Sequence, residues 1–330
     1  MPMRPRLTPA VAEVRRAIRE SLVDAHENDL VLVAVSGGPD SMALAKGFAF
    51  EGPRLGLRIG AVIVDHGLQT VSAQVAKETA EKLEALGFGH VYVKRVEVAG
   101  DNEAAARVAR YHAIDELANE LDARYVLLGH TLNDQAETVL LGLARGSGAR
   151  SLSGMALQNG RYLRPLLSLT REQTLEASED LNPWHDPHNK SEKFTRVRVR
   201  ETVMPALESE LGPGVAEALA RTAEQLREDA DYLEEVALAE YHSMVMLGPT
   251  ALSLPVTELA ELPNAIRFRV MKHALEVLGS SPQRVHVLAV NELIIDWHGQ
   301  KELTLPGVRV VRKSKQLELK TTKTLKPGAC

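Results

Sequence analysis

With 330 residues, 45% of them hydrophobic and 25% charged, the chain has a globular composition and, at roughly 150 residues per domain, the length of two domains. A net charge of −5 gives no global sign of nucleic-acid binding, though an average can hide a locally basic face. The single cysteine, Cys330, excludes an intrachain disulfide, a cysteine-rich zinc or iron–sulfur site and a cysteine pair for sulfur transfer. No signal peptide, bilayer-spanning apolar run, internal repeat or low-complexity tract is visible, so a cytoplasmic protein with no membrane partner is expected.

In chain order, residues 9–26 carry Val11, Val14, Ile18 and Leu22 at helical spacing. Residues 30–35 form an apolar run that reads as a buried strand, and residues 42–50 read as a helix. Between them lies Ser36-Gly37-Gly38-Pro39-Asp40-Ser41. Further strands are expected at 59–64, 91–98 and 125–128, and further helices at 75–86, closed by Gly87, and 102–121. Such alternation predicts a doubly wound, mainly parallel α/β sheet covered on both faces, with ligands outside the carboxyl ends of its strands.

Three signals fall at that edge. A strand turning through two glycines into a helix gathers free backbone N–H groups at the positive end of the helix dipole, which suits phosphate. The turn has no lysine, so it is neither a Walker A loop nor a dinucleotide fingerprint. Asp65-His66 ends the second strand, within reach of a ribose or an adenine. The third signal is the run from His130 to Thr138, in which His130, Asp134 and Glu137 at i, i+4 and i+7 stack on one helix face. Two carboxylates beside a polyphosphate make sense with Mg²⁺ between them, or if one attracts a cationic substrate. Asp40, Asp134 and Glu137 are the candidate metal ligands, while early acids that merely complement the helix dipole are the plainer alternative. Arg107 and Arg110, one turn apart, have a geometry that can clamp a phosphate.

The turn resembles the PP-loop, SGGxDS, of the N-type ATP pyrophosphatases. Together with VDHGL, NEAAARVARY, GHTLNDQAET, ARGSGARSLSGM and RPLL, and then Trp184, Asp186-Pro187, Asn189, Phe194 to Arg200 and Pro205, it is similar to the tRNA(Ile)-lysidine synthetase family over residues 30 to about 205. Val197 departs from the asparagine the family usually carries after Arg196. The resemblance implies an adenine nucleotide alpha hydrolase-like fold and adenylation, by ATP, of C2 of the wobble cytidine in a CAU-anticodon tRNA(Ile). Free lysine then displaces AMP to give lysidine.

It further implies ATP held by Ser36, Gly37, Gly38, Pro39, Asp40, Ser41, Asp65 and His66. Catalysis would fall to Asp40, Arg107, His130, Asp134 and Glu137. No protein nucleophile is required, in keeping with the lack of a placed cysteine. A thiolase would need cysteines to carry sulfur, and a non-catalytic ATP-binding module would not need the His130 cluster.

Downstream, residues 142–154 hold four glycines with Arg145 and Arg150, a loop suited to an RNA backbone. Trp184 and His185 lie where an extruded base could be stacked, or where a loop closes the domain. Arg196 and Arg200 are further candidates for the tRNA backbone; with Arg198 they share a face if extended and do not if helical. Residues 215–246 read as a long acidic connecting helix packed on the first domain by its alanines and leucines. Beyond it, helices at 263–278 and 282–297 and strands at 303–305, 308–311 and 317–319 accompany a basic excess that includes Arg312 and Lys313, suited to a tRNA backbone. The expected organisation is a catalytic domain at 1–212, a connecting helix at 213–250, a small basic tRNA-binding domain at 251–320 and a tail at 321–330. A homodimer is left open.

Overall fold

The computed structural model describes residues 7–65, 72–96, 103–146, 148–185, 193–248 and 251–322; His66 and residues 186–192, which include Asp186 and Asn189, lie outside them. The chain forms two compact units, Met1–Leu226 and Arg227–Cys330. Among the described residues no helix is long and apolar enough to cross a membrane.

In the first unit, α1 (Pro9–Ser21), β1 (Leu30–Val35), α2 (Pro39–Arg54), β2 (Arg58–Asp65), α3 (Ser72–Ala85), β3 (Val91–Arg95), α4 (Glu103–Glu120) and β4 (Tyr125–Leu127) alternate as the sequence predicts. There follow α5 (Leu132–Ala144), α6 (Ala149–Leu152), the short strands β5 (Gln158–Asn159) and β6 (Tyr162–Leu163), α7 (Arg171–Ser178), α8 (Thr195–Arg198) and α9 (Met204–Leu211). The sheet order is β3-β2-β1-β4-β6-β5, parallel throughout except for the terminal β5–β6 pair.

Period-two alternation in β1 sends Val31, Val33 and Val35 into one core with Phe48, Ile18 and Leu83, and Leu30 and Leu32 into another with Ile114 and Leu117. Both faces are therefore buried, which is why β1 reads as a continuous apolar run. Connections leave β1 toward β2 on one side and return to β4 on the other. The carboxyl ends of β1 and β4 thus frame the crevice where an open α/β sheet takes its ligand.

The long helix α10 (Val215–Met244) ends two residues short of the expected 246. Its alanines Ala216, Ala223, Ala230 and Ala237 are buried at seven-residue intervals. Ala216 joins a cluster with Leu132, Val199 and Met204 of the first unit, whereas Ala237 and Tyr241 belong to the core of the second. The helix is thus not a connector packed on the first domain alone: the boundary between the units falls inside it.

The second unit adds β7 (Met246–Leu247), β8 (Ala251–Pro255), α11 (Val256–Glu261), α12 (Asn264–Val277), α13 (Arg284–Ile295), β9 (Leu303–Leu305), β10 (Val308–Lys313) and β11 (Gln316–Thr321). The antiparallel sheet order is β7-β8-β11-β10-β9. The sequence reading missed β7, β8 and α11, whose short alternating runs carry little periodic signal.

Candidate active site

The glycine turn is tied in three places. The Ser36 N–H donates to Ser41 Oγ at 3.2 Å, and Ser41 Oγ donates to the Gly38 carbonyl at 2.9 Å. The Trp184 N–H donates to the Gly37 carbonyl at 2.9 Å. Gly37 has φ 85°, and a Cβ there would lie 2.7 Å from Thr79 Oγ1, so glycine is required on both counts. Gly38 is the N-cap of α2, Pro39 supplies its first helical residue, and no side chain caps it. This leaves the first-turn N–H groups and the dipole facing the crevice. At the end of β4, a Cβ on Gly129 would stand 3.1 Å from the Ser41 backbone nitrogen and 3.2 Å from the Asp40 carbonyl carbon. A side chain there would force the strand end and the start of α2 apart by a few tenths of an ångström.

A cavity of about 670 Å³ opens here. Ser36, Gly38, Pro39, Asp40 and Ser41 line it together with Asp65, Arg110, Tyr111, His130, Asp134, Arg171, Trp184, His185 and Arg200. The glycine turn, Asp65, His130 and Asp134, placed at the sheet edge by sequence, therefore share one space, whereas Glu137 is not among the residues that line it.

Asp134 serves partly as a cap. Its Oδ2 accepts the Thr131 N–H at 2.9 Å and the Thr131 hydroxyl at 3.1 Å, closing a capping box at the start of α5. Its other oxygen faces Arg200 at 3.0 Å, with Arg171 and Arg196 at 3.5 Å. Glu137, 1% exposed, accepts from Arg200 Nε at 2.6 Å and Arg196 Nε at 2.8 Å, with Arg171 at 3.5 Å. Burial works to raise the Asp134 carboxyl, but Arg196, the Thr131 N–H, Arg171 and Arg200 outweigh it and hold the group below the usual carboxylate range.

Asp40 behaves oppositely. Burial pushes its carboxyl up, and nearby Asp134 adds to this against the Thr174 hydroxyl, Arg171 and Arg200. Thr174 donates its hydroxyl hydrogen to Asp40 Oδ1. His130 is pushed down to about 4 by burial, with Arg164, Arg107 and Arg196 adding to the effect and Asp134 opposing it. It is therefore neutral at pH 7, and its buried Nδ1 has no hydrogen-bond partner among the described residues.

Among the described residues, no three His, Cys, Asp or Glu side chains are grouped to hold a metal. Asp134 and Glu137 are occupied by guanidiniums, so they do not join Asp40 in the three-carboxylate set expected from sequence. Asp40 alone fits Mg²⁺: its carboxyl carries an unfavourable charge in the cavity beside the phosphate turn, and Mg²⁺ commonly takes one or two carboxylates plus substrate phosphates.

The other expected residues fall in different places. Arg107 is exposed on α4 and donates to the Tyr111 hydroxyl at 3.3 Å, while Arg110 lines the cavity. Arg145 caps the C-terminus of α5 and Arg150 lies on α6, both exposed. Arg196 and Arg200, expected at an RNA backbone, are instead partners of the acids. The short α8 runs into a π-helical turn at Val199–Val203, so these two share a face while Arg198 points away and stays exposed. Arg312 donates to the Leu293 and Ile294 carbonyls at the end of α13, each at 3.0 Å, and stacks over Trp297. Lys313 pairs with Glu318 at 2.8 Å. Arg267, one of the basic residues of the second unit, is 5% exposed and bonded to Asn291 and to the Ala260 and Leu262 carbonyls.

Sequence reasoning missed Arg171, Thr174 and Arg164. The Thr170–Gln173 capping box is readable and places Arg171 at the start of a helix, but nothing in the sequence aims that helix at Asp40 and Asp134.

The fold and site define a PP-loop nucleotide-binding domain, and the PP-loop domain model matches residues 10–207. The TilS substrate binding domain model matches residues 254–317. The chain is 54% identical to the tRNA(Ile)-lysidine synthase of Leifsonia xyli over 86% of this chain and 88% of that one. The enzyme of the same name from Thermobifida fusca is 51% identical over 92% and 95%, and that from Salinispora tropica 45% over 98% of both. The chain belongs to the tRNA(Ile)-lysidine synthase family. Among solved structures, a U34-tRNA thiolase from Methanococcus maripaludis shares the fold, with TM-score 0.56 and 19% identity over 66% of this chain and 79% of that one.

Proposed function

We propose that the chain joins free lysine to C2 of the wobble cytidine of a CAU-anticodon tRNA(Ile), converting ATP to AMP and pyrophosphate. The observation that carries this reading is that the lysine-free phosphate turn, His130 and Asp134 open on one cavity. In the first step the cytidine O2 attacks the α-phosphorus and pyrophosphate leaves. In the second the lysine amine attacks C2 and AMP departs with that oxygen.

The turn from Ser36 to Ser41, with the open N-terminus of α2, receives the leaving pyrophosphate. Mg²⁺, where bound at Asp40, would offset phosphate charge. Arg110, on the cavity wall, supplies a cation from α4 for the α-phosphate oxygens, with Arg107 one turn away on the same helix. Asp134, on the cavity wall, attracts the lysine ammonium, while buried Glu137 acts through the guanidiniums of Arg196 and Arg200 that it fixes. A neutral His130 puts no like charge against that ammonium. Exposed Arg145 and Arg150 offer positive charge to the tRNA backbone, and the substrate-binding domain match in the second unit supports further contacts there.

The test is AMP and pyrophosphate release from ATP, with lysine and an unmodified CAU-anticodon tRNA(Ile) supplied separately and together. AMP formation that requires the tRNA, and lysine consumption that requires both, support the reading. AMP formation indifferent to the tRNA refutes it.

A further inference from the structure

The cavity presents a charge problem at its phosphate end. Asp40, Asp65 and Asp134 line it, while the turn itself contains no lysine or arginine. Of the cationic side chains available, Arg171 and Arg200 are engaged by Asp134 and Glu137. His130 stays neutral. Arg110 belongs to α4, on the far side of β1 from the core that α2 joins. A triphosphate seated on the α2 N-terminus needs a closer donor than these.

One residue is placed there. The Trp184 N–H is bonded to the Gly37 carbonyl at 2.9 Å, and the Trp184 carbonyl lies 3.9 Å from where a Cβ on Gly38 would sit. The chain at Trp184 therefore runs against the glycine turn and delivers His185, an exposed residue that lines the same cavity, to its rim. We propose that His185 is a phosphate-binding residue, donating an imidazole N–H to the β- or γ-phosphate of ATP and to the departing pyrophosphate. It thereby supplies a side-chain donor that the turn itself lacks, from a segment more than a hundred residues downstream. The inference rests on the ATP reading above. A charge-assisted bond of this kind strengthens as phosphate charge accumulates on the leaving group.

The test uses the full chain with Mg²⁺ and titration calorimetry against ATP, pyrophosphate and AMP. His185→Ala should weaken ATP and pyrophosphate by about 10-fold, the scale of one charge-assisted hydrogen bond, and leave AMP within about twofold. His185→Lys should restore most of the ATP and pyrophosphate affinity. Equal loss for all three ligands would reduce His185 to a packing role and overturn the proposal. So would unchanged ATP and pyrophosphate affinity with weakened tRNA binding, which would make His185 a base-stacking residue. Wild-type protein that binds neither ATP nor pyrophosphate would refute the ATP reading itself, a result separable from failure of the His185 variant alone.

Discussion

Replacing Glu137 by glutamine removes one negative charge from a group that is 1% exposed and meets Arg171, Arg196 and Arg200. The shape and one acceptor oxygen survive, but three partly buried guanidiniums lose half of their counter-charge, leaving Asp134 alone against them. Breaking a buried ion pair from one side costs about 3–5 kcal/mol, and the retained acceptor places this variant near about 3. The first unit spans 226 residues, for which 1 kcal/mol shifts Tm by roughly 2–4 °C, so a drop of about 6–12 °C is expected.

The two tryptophans fall one to each unit, Trp184 in the first and Trp297 in the second. A Trp297→Phe background therefore lets fluorescence follow the first unit alone. The double variant Glu137→Gln/Arg200→Gln should lose less than the sum of the singles, because it removes a charge of each sign from one cluster. A shift under about 2 °C for Glu137→Gln, or strict additivity in the double variant, would refute the claim that these acids hold the first unit together as well as serving its chemistry. Inactivity of Glu137→Gln must accordingly be read beside its melting curve.

Asp40→Asn should abolish AMP formation yet raise Tm at pH 7. The folded-state pKa of Asp40 is raised, so its ionised form penalises the fold at neutral pH, and the advantage of the variant should shrink on acidification toward pH ~4. A destabilised Asp40→Asn at pH 7 contradicts this. Gly129→Ala should push the end of β4 against the Ser41 backbone and weaken ATP binding by at least about 10-fold; an unchanged Kd by calorimetry counts against that close approach. His130 should stay neutral until about pH 4 in a histidine NMR titration. Because its folded pKa is depressed, the unfolded chain binds the extra proton first, and the stability difference opens as pH falls below ~6.5 and is complete below about 4. A midpoint near pH ~6.5 would show His130 to be solvated instead.

The sheet and its site were legible where local signals carry the chemistry. Buried β1, the glycine turn and the i, i+4, i+7 spacing of His130, Asp134 and Glu137 each follow from a single element's period, and the strand-end rule brings them to one crevice. What stayed illegible depends on partners distant in sequence. Arg196 and Arg200 change meaning with helix or strand geometry, and a π-helical turn settles that geometry. Arg171 looks like a solvated first-turn arginine until α7 is packed on α1 and α2, which brings Arg171 to Asn133, Asp134 and Glu137 of α5. Arg312 reads as part of a basic patch, yet its guanidinium closes the end of α13. Composition reports charge but not whether that charge already has a partner.

The wobble nucleoside itself decides whether the chain joins lysine to tRNA. Unmodified CAU-anticodon tRNA(Ile) would be incubated with the protein, ATP, Mg²⁺ and labelled lysine, digested to nucleosides and resolved by mass. Cytidine at the wobble position should be replaced by a lysine-bearing nucleoside, with one AMP formed per lysine incorporated and none incorporated into a tRNA lacking the CAU anticodon. Unchanged cytidine in the presence of ATP turnover, or lysine appearing elsewhere in the tRNA, would contradict the proposed function.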